Sequence, residues 1–236
     1  MPLSSITQKL GILMPAKKTI KGVLFDMDGT LFGTEELWFQ SEIKLMNRFG
    51  VSWTRADHAI CVGGPMSRVT EYMLERLSHQ IREKELFELE MQFIEREFAL
   101  GQIPWQPGAE EIVLQAKSQN MKIALVTASN AHLVRLVGAQ IDLDIFDAIV
   151  CGDDVSSPKP DPEAYELGLK NLHLEPEQAF AIEDSNSGAK SALSAGLQVV
   201  CPPSHTITIE DSRLHLIDSL AGYSLTDLLS LIQGEL

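Results

Sequence analysis

Short apolar runs alternate with amphipathic segments along the chain and predict its secondary structure. Residues 20–25 form the first apolar run, which is typical of a buried strand. Further strands are predicted at 122–126, 148–151, 179–182 and 197–200. Helical patterns separate or follow them at 109–119, 131–139, 162–172, 187–195 and 225–232. Because strands that alternate with helices favour right-handed βαβ crossovers, we expect an α/β fold with a doubly wound parallel sheet.

A different pattern occupies the long gap between the first two strands. Residues 35–100 carry little strand signal, and their apolar positions recur at helix spacing. These positions are Trp38, Leu45, Met46 and Phe49, then Val69, Tyr72 and Met73, then Leu86, Leu89, Phe93 and Ile94. Such stripes are typical of a helix–helix core. We therefore predict an α/β core of residues 19–34 and 105–236, an inserted small α-helical domain of residues 35–104, and a flexible N-terminal tail of residues 1–18.

The balance of charges limits the classes of partner. The 236-residue chain has 19 basic and 33 acidic residues, which is a formal net charge of −14. A chain this acidic lacks the basic footprint of a protein that binds nucleic acid or an anionic membrane, so neither is a predicted partner. An anionic substrate would need local positive charge from a divalent metal ion or a well-placed lysine.

Cysteine usage and hydropathy predict the compartment. Cys61, Cys151 and Cys201 are an odd number without CxxC spacing, which argues against a disulfide framework. No apolar run approaches the ~18 residues of a membrane span. The apolar block at residues 10–14 is too short for a signal-peptide core. We therefore expect a cytoplasmic protein.

Two carboxylates follow the first predicted strand. Asp26 and Asp28 lie two positions apart, and Gly29 permits a tight turn that brings both toward one crevice. Carboxylates next to a buried strand are costly unless they are compensated, and their oxygens are the ligands that Mg²⁺ prefers. The pair is compatible with a metal site, or with an Asx turn or helix cap made by Asp28 or Thr30.

Polar residues also follow the second predicted strand. The segment Thr127-Ala128-Ser129-Asn130 offers hydroxyl groups directly before a helix. The free backbone N–H groups at the start of a helix form a ready anion site. The alternative is simple N-capping of that helix by Ser129 or Asn130.

Later strand ends add a lysine and two more carboxylates. Prolines on both sides of Lys159 hold one positive charge on a rigid backbone, although a lone lysine is usually a solvated surface residue. Glu183 and Asp184 end the fourth strand, where capping of the next helix is the alternative role. Four carboxylates that converge on one crevice would repel one another strongly without a metal ion.

The four motifs DMDGT, VTASN, SSPKPDP and IEDSNSGAKSALSAG occur in this order and together resemble the haloacid dehalogenase-like hydrolase superfamily. The resemblance covers roughly residues 20–200. The helical insertion between the first two motifs looks like the small α-helical cap of the branch similar to β-phosphoglucomutase and phosphoglycolate phosphatase. The resemblance therefore implies a Rossmann-like core with a helical cap at residues 35–104.

The same resemblance implies a role for each motif. Asp26 would be the nucleophile and Asp28 the general acid/base, while Thr127 and Lys159 would hold the phosphoryl oxygens. Mg²⁺ would be bound by the Asp26 carboxylate, the Asp28 backbone carbonyl and Asp184, with Glu183 assisting through water. The substrate would also contact Ala128, Ser129 and Asn130. Related dehalogenases and phosphonate-cleaving enzymes lack an acid at the position of Asp28, so this residue indicates phosphate esters.

The chain departs from the mutase-like pattern near and within the cap. Gly33 stands where relatives usually have an acidic residue. Mutase-like relatives carry His where this chain has Trp38 and Arg where it has Met66, and Arg68 lies two residues further along. If Arg68 does not reach the site, a bisphosphate intermediate would not be retained. This departure favours a phosphatase over a mutase.

The cap residues predicted to touch substrate are Trp38, Gly64, Pro65 and Arg68. Packing in the cap core is the alternative for Trp38, and a solvated position is the alternative for Arg68. His58 and His79 stand without metal-ligand spacing and are predicted to be ordinary surface residues.

The predicted function is Mg²⁺-dependent hydrolysis of a small phosphorylated metabolite, such as a sugar phosphate, through an aspartyl-phosphate intermediate. A phosphosugar mutase on the same fold is the first alternative. A catalytically idle domain that binds a phosphorylated metabolite is the second. The complete set of motif residues argues against the idle domain, because such a site has no use for a nucleophile beside an acid.

Overall fold

The computed structural model describes residues 19–62, 66–203 and 206–235, and its central feature is a parallel sheet. The strands are β1 Gly22–Phe25, β2 Lys122–Val126, β3 Ala148–Val150, β4 Ala179–Ile182, β5 Gln198–Cys201 and β6 Leu214–Leu216. Their order in the sheet is β3-β2-β1-β4-β5-β6, and every pairing is parallel. The predicted doubly wound α/β fold is confirmed. The predicted tail at residues 1–18 lies outside the described residues.

The helices of the described ranges fall into two groups along the chain. The first group is α1 Glu35–Arg48, α2 Arg55–Cys61, α3 Met66–Arg76 and α4 Glu83–Leu100. The second group is α5 Ala109–Ser118, α6 Ala131–Gly138, α7 Glu163–Leu172, α8 Asn186–Ser194 and α9 Leu225–Ile232. Each helix of the second group begins and ends within one residue of its predicted bounds. None of the helices in these ranges has the length and apolar composition needed to cross a membrane.

The sheet is buried on both faces because successive side chains of a strand point to opposite sides. Val23 and Phe25 of β1 join one apolar cluster with residues of α5, α6 and α9. Leu24 points the other way and joins a second cluster with residues of α7 and α8. Helices therefore cover both faces of the sheet, as expected of a doubly wound fold.

Strand register brings the ends of three central strands to one level. Phe25, the last residue of β1, lies opposite Leu125 of β2 on one side and Ile182 of β4 on the other. Because all three strands run in the same direction, the residues that follow them meet at the same edge of the sheet. This register places the motifs that follow β1, β2 and β4 around one crevice.

Helices α1 to α4 build a third apolar cluster of their own. It includes Phe39 and Met46 of α1, Met73 of α3 and Leu86 of α4. The predicted helix–helix core of the insertion is therefore present. Some residues of α1 and α4 instead join the cluster on the sheet, among them Leu37, Ile94 and Phe98. The division into separate domains at residues 34/35 and 104/105 stays a prediction.

The two chain segments that connect the first helical group to the sheet lie side by side. The N–H of Gly33 donates to the Pro104 carbonyl at 2.9 Å, and the N–H of Gln106 donates to the Leu31 carbonyl at 2.7 Å. A Cβ at residue 33 would lie 3.2 Å from Cγ of Pro104, which is a tight contact. The glycine that replaces the expected acidic residue therefore allows the two connections to approach closely.

Strand β6 was not predicted. Its three residues, Leu214-His215-Leu216, are half-buried or exposed, and it pairs with β5 at the edge of the sheet. A strand this short carries too little periodicity to be distinguished from a loop.

Candidate active site

A cavity of about 520 Å³ lies at the carboxyl edge of the sheet, within the range typical of small-molecule sites. From the sheet side it is lined by Asp26, Asp28, Thr127, Ala128, Ser129, Asn130, Lys159 and Asp184. From the first group of helices it is lined by Trp38, Glu42, His58, Cys61, Val69, Phe87 and Met91. The cavity therefore brings together most of the residues that were predicted to form a site.

Asp26 continues β1 into the cavity. Its N–H donates to the Ile182 carbonyl at 3.0 Å, and its Oδ1 accepts a hydrogen bond from Lys159 Nζ at 2.8 Å. Burial raises the pKa of this carboxyl well above its ordinary value, and the negative charge of Glu183 raises it further. Lys159 acts in the opposite direction but does not outweigh them. The carboxyl group therefore needs more positive charge than Lys159 supplies if it is to act as an anion.

Lys159 is buried at the centre of this site, with 6% of its surface exposed. Its ammonium donates to Asp26, to the Val126 carbonyl at 2.9 Å and to Glu183. Burial by itself lowers the pKa of an ammonium, but Asp26 and Glu183 outweigh it and the pKa of Lys159 is raised. The lysine is therefore a fixed positive charge and not the solvated surface residue of the alternative interpretation.

Glu183 is turned toward Lys159 by its surroundings. The hydroxyl of Tyr165 donates to Glu183 Oε1 at 2.7 Å, and the hydroxyl of Ser185 donates to Oε2 at 3.3 Å. A Cβ at Gly188 would overlap the Glu183 carboxylate, so only glycine lets α8 start this close to it. Helix α8 is capped by Ser185, whose hydroxyl accepts from the Gly188 N–H at 3.0 Å, and not by Glu183.

Replacement of Gly188 by alanine is expected to disturb this arrangement. The added methyl group must displace the Glu183 carboxylate, which we expect to lower the free energy of unfolding by about 2 kcal/mol. Urea denaturation measures the change. Gly138→Ala is the matched control, because its Cβ would meet only the end of the Leu143 side chain at 3.3 Å. Equal stability of the two variants would contradict the close packing of Gly188 against Glu183.

Asp28 is half-buried and holds a position between α1 and the loop after β2. Its Oδ1 accepts from the Thr34 hydroxyl at 2.7 Å and from Trp38 Nε1 at 3.3 Å. Its Oδ2 accepts from the Ser129 hydroxyl at 2.7 Å and from the Thr127 hydroxyl at 3.4 Å. The carboxylate is therefore connected to α1 and its N-cap on one side and to the loop after β2 on the other through these four donors.

Trp38 combines the two roles that were considered for it. Its ring packs edge-on against Phe98 with centroids 5.9 Å apart, which is core packing. Its indole N–H reaches Asp28, and the residue lines the cavity. The side chain therefore lies against both the apolar core and the site.

The loop after β2 is organised mainly by its own hydrogen bonds. Asn130 caps α6, because its side chain accepts from the Leu133 N–H at 2.9 Å. The Ala131 N–H donates to Asp153 at 2.7 Å, so two amides at the start of α6 are bonded within the protein. Ala128 is exposed toward the cavity. The capping alternative is correct for Asn130, and these two amides are not available to an anion.

Three buried carboxylates form a potential metal site. Asp26, Glu183 and Asp184 each offer an oxygen, and these oxygens lie within 4.8 Å of one another. Thr30 donates to Asp184 Oδ1 at 3.3 Å, and Gly29 has φ +81° and no Cβ to obstruct Asp184. An all-oxygen set with excess negative charge suits Mg²⁺, because a divalent cation reduces the carboxylate repulsion. The donor set therefore fits this cofactor.

One of the predicted cap contacts, Arg68, is not among the described residues that line the cavity. Arg68 is exposed, and its guanidinium donates to the Ile60 carbonyl at 2.8 Å, near the end of α2. This placement matches the solvated alternative. Gly64 and Pro65 lie outside the described residues.

The prediction that His58 is a surface residue is wrong. His58 has only 5% of its surface exposed, and its Nδ1 lies 2.7 Å from Oε2 of Glu42. Both residues line the cavity, and Glu42 was not considered from the sequence. A usable signal was its position four residues after Trp38, which places both on one face of α1. His79 is exposed, as predicted.

The amino-acid sequence of this chain is similar to those of known proteins. The profile of the haloacid dehalogenase-like hydrolases matches residues 23–201. The phosphorylated carbohydrates phosphatase of Thermotoga maritima is 32% identical over 192 residues, which cover 80% of this chain and 87% of that protein. The protein CbbY of Cereibacter sphaeroides is 31% identical over 229 residues, covering 88% and 98%.

A solved structure agrees with both sequence matches. The crystal structure of CbbY from Rhodobacter sphaeroides in complex with phosphate superimposes with a TM-score of 0.73 at 28% identity. The superposition covers 89% of this chain and 99% of that one. The chain therefore belongs to the haloacid dehalogenase-like hydrolase family, and it is a phosphoric monoester hydrolase.

Proposed function

We propose that this enzyme is a Mg²⁺-dependent phosphatase of small phosphorylated metabolites, of the sugar phosphate class, that works through an aspartyl-phosphate. The observation that carries the proposal is the placement of Asp26, Asp28 and Lys159 around one cavity. Two relatives agree with the substrate class. The Thermotoga maritima protein is named for phosphorylated carbohydrates, and a CbbY variant was crystallised with xylulose-(1,5)-bisphosphate.

In the first step, a carboxylate oxygen of Asp26 attacks phosphorus, and the bond from phosphorus to the ester oxygen breaks. Lys159 is fixed beside Asp26 at 2.8 Å, where it would stabilise the charge on the equatorial phosphoryl oxygens. The hydroxyl of Thr127 lines the same cavity and would donate to these oxygens as well. The phosphoryl group is then bonded to Asp26.

Asp28 would act as the general acid in the first step and as the general base in the second. As an acid it protonates the departing alkoxide, and as a base it then removes a proton from the water that attacks the aspartyl-phosphate. Its carboxylate is held in the cavity by four hydrogen-bond donors, none of which belongs to Asp26 or Lys159. Phosphate and the free alcohol are the products.

The magnesium ion would be held by Asp26, Asp184 and the backbone carbonyl of Asp28, with Glu183 assisting through water. When bound, Mg²⁺ supplies positive charge that reduces the repulsion between the nucleophile and a phosphate dianion. Glu183 also has a second contribution, because its carboxylate fixes Lys159 in place.

The position of Arg68 supports a phosphatase over a phosphosugar mutase. A mutase must hold the second phosphate of a bisphosphate while the intermediate reorients. The guanidinium of Arg68 donates instead to backbone carbonyls near the end of α2. Without that grip, water would reach the aspartyl-phosphate first.

Phosphate release from a panel of sugar and polyol phosphates, with p-nitrophenyl phosphate as a generic ester, tests the proposal. We expect release with Mg²⁺ and a rate lower by about 100-fold or more in EDTA, because the metal contributes several kcal/mol to such reactions. Mg²⁺ should also raise the melting temperature, since a ligand stabilises the state that binds it. Asp184→Asn should lose most of that increase.

Two outcomes would contradict this proposal. Conversion of β-glucose 1-phosphate to glucose 6-phosphate only after addition of glucose 1,6-bisphosphate, with no phosphate release, would identify a mutase. Absence of both activities, together with no thermal protection by Mg²⁺ and beryllofluoride, would favour an idle binding domain.

A further inference from the structure

The cavity has a second polar feature, which helices α1 and α2 contribute. Glu42 on α1 and His58 on α2 are 4% and 5% exposed, and both line the cavity. Glu42 Oε2 accepts from Trp53 Nε1 at 2.8 Å and lies 2.7 Å from His58 Nδ1. The carboxylate oxygen accepts both bonds, so the proton of this contact belongs to Nδ1 of the histidine.

The other ring nitrogen of His58 has no such contact. Nε2 is buried and has no hydrogen-bond partner among the residues that the structure describes. An unsatisfied buried polar atom lowers the stability of a protein, so native structures keep few of them, and each calls for an explanation. Glu42 contacts the ring at Nδ1, on the side opposite Nε2. A hydroxyl group can donate to Nε2 of the neutral ring and can accept from Nε2 of the charged ring.

The surroundings of the pair indicate what kind of molecule would fit. The lining residues that α3 and α4 contribute are apolar, namely Val69, Phe87 and Met91. Cys61 of α2 also lines the cavity, and burial raises the pKa of its thiol to about 12, so it stays uncharged. The lining from these helices therefore suits an uncharged organic group, to which His58 offers a polar contact.

We infer that His58 Nε2 recognises a hydroxyl group of the substrate's alcohol, and that Glu42 positions the imidazole for this contact. The substrate class is then an ester whose alcohol carries hydroxyl groups beyond the esterified oxygen, as in polyol and sugar phosphates. This inference rests on the proposed phosphatase function. A substrate hydroxyl at Nε2 would satisfy the buried nitrogen, and His58 and Asp26 line the same cavity.

Sorbitol 6-phosphate and n-hexyl phosphate provide the test. Both are phosphate monoesters of a six-carbon alcohol, but only sorbitol 6-phosphate carries further hydroxyl groups on the chain. The wild-type enzyme with Mg²⁺ is expected to prefer sorbitol 6-phosphate in kcat/KM. His58→Asn keeps an amide N–H that can donate to Glu42 but lacks any atom at the place of Nε2. We expect this variant to lower the ratio of the two kcat/KM values by about 10-fold or more.

Control variants separate recognition from folding. His79→Asn makes the same exchange at an exposed residue and should leave the ratio unchanged. Glu42→Gln weakens the support of the ring and should lower the same ratio less than His58→Asn does. It also serves as the test if thermal unfolding shows that His58→Asn does not fold.

The possible failures are distinguishable. A wild-type preference for n-hexyl phosphate, or a loss in His58→Asn that is equal for both esters, would overturn the inference and leave the phosphatase function intact. Absence of hydrolysis of any ester by the wild-type enzyme, p-nitrophenyl phosphate included, would overturn the proposed function instead.

Discussion

Asp26→Asn replaces the proposed nucleophile and is expected to lower the rate of phosphate release by about 10⁴-fold or more, since removal of a catalytic nucleophile has effects of this size. An amide oxygen is a far poorer nucleophile than a carboxylate oxygen, so the proposed aspartyl-phosphate could not form. The substitution keeps the shape of the side chain and its Oδ1 acceptor for Lys159. The measurement is phosphate release from the best substrate of the panel with saturating Mg²⁺.

The same substitution is expected to stabilise the metal-free protein. Burial and Glu183 raise the pKa of Asp26, so its ionised form opposes folding. The sign follows from linkage: a carboxyl whose folded-state pKa is raised contributes stability at low pH and loses it as the pH rises past its ordinary pKa near 4. Asparagine cannot ionise, so at pH 7 in EDTA the variant should melt at a higher temperature than the wild type.

A lower melting temperature is expected when asparagine replaces a carboxyl group whose pKa is lowered in the folded protein. Arg213 lowers the pKa of Asp211 by a hydrogen bond, so Asp211→Asn should slightly lower the melting temperature under the same conditions. Addition of Mg²⁺ should raise the melting temperature of the wild type more than that of Asp26→Asn. A less stable Asp26→Asn variant in EDTA would contradict the account of crowded carboxylates.

Lys159→Met is expected to cost both activity and stability. The substitution leaves Asp26 and Glu183 buried without their ammonium partner, and loss of one member of a buried ion pair costs about 3–5 kcal/mol. Phosphate release should fall by about 10³-fold, because the proposed mechanism makes Lys159 a fixed donor to the transferring phosphoryl group. Urea denaturation in EDTA and in Mg²⁺ measures the first effect, and the deficit should be smaller in Mg²⁺.

Lys122→Met is the matched control for this lysine. Lys122 pairs with Asp147 at 3.4 Å, but its side chain is 56% exposed, and such surface pairs contribute less than about 1 kcal/mol. It should keep the wild-type rate of phosphate release. Similar losses of stability in the two lysine variants would show that the buried pairing of Lys159 with Asp26 is energetically unimportant.

The strands and motifs were predictable because their signals are local. An apolar run of four to six residues between turn residues defines a buried strand, and the capping box of Ser224 and Asp227 marks the start of α9. Since consecutive parallel strands end at one edge of a sheet, the convergence of Asp26, Lys159 and Asp184 followed from their places after strands. Asp26 is more than a hundred positions from Lys159 and from Asp184, yet all three line one cavity.

The helical insertion was predictable only as a set of helices. Apolar stripes indicate which face of each helix is buried, but they do not say what packs against a polar residue on the margin of that face. His58 and Glu42 meet because α2 packs against α1, and that packing depends on side chains throughout the cluster. Arg68 illustrates the same limit, since its contacts depend on how α2 ends.

By itself, the sequence determined the parallel α/β sheet, the inserted helices and the residues at the strand ends, because spacing along the chain encodes which face of an element is buried. Only the tertiary structure decided three further points. These are the hydrogen bond from Lys159 to Glu183, the hydrogen bond from Trp38 to Asp28 and the burial of Nε2 of His58. Each of these depends on the distance between groups from separate elements, and such distances follow from packing and not from any local pattern.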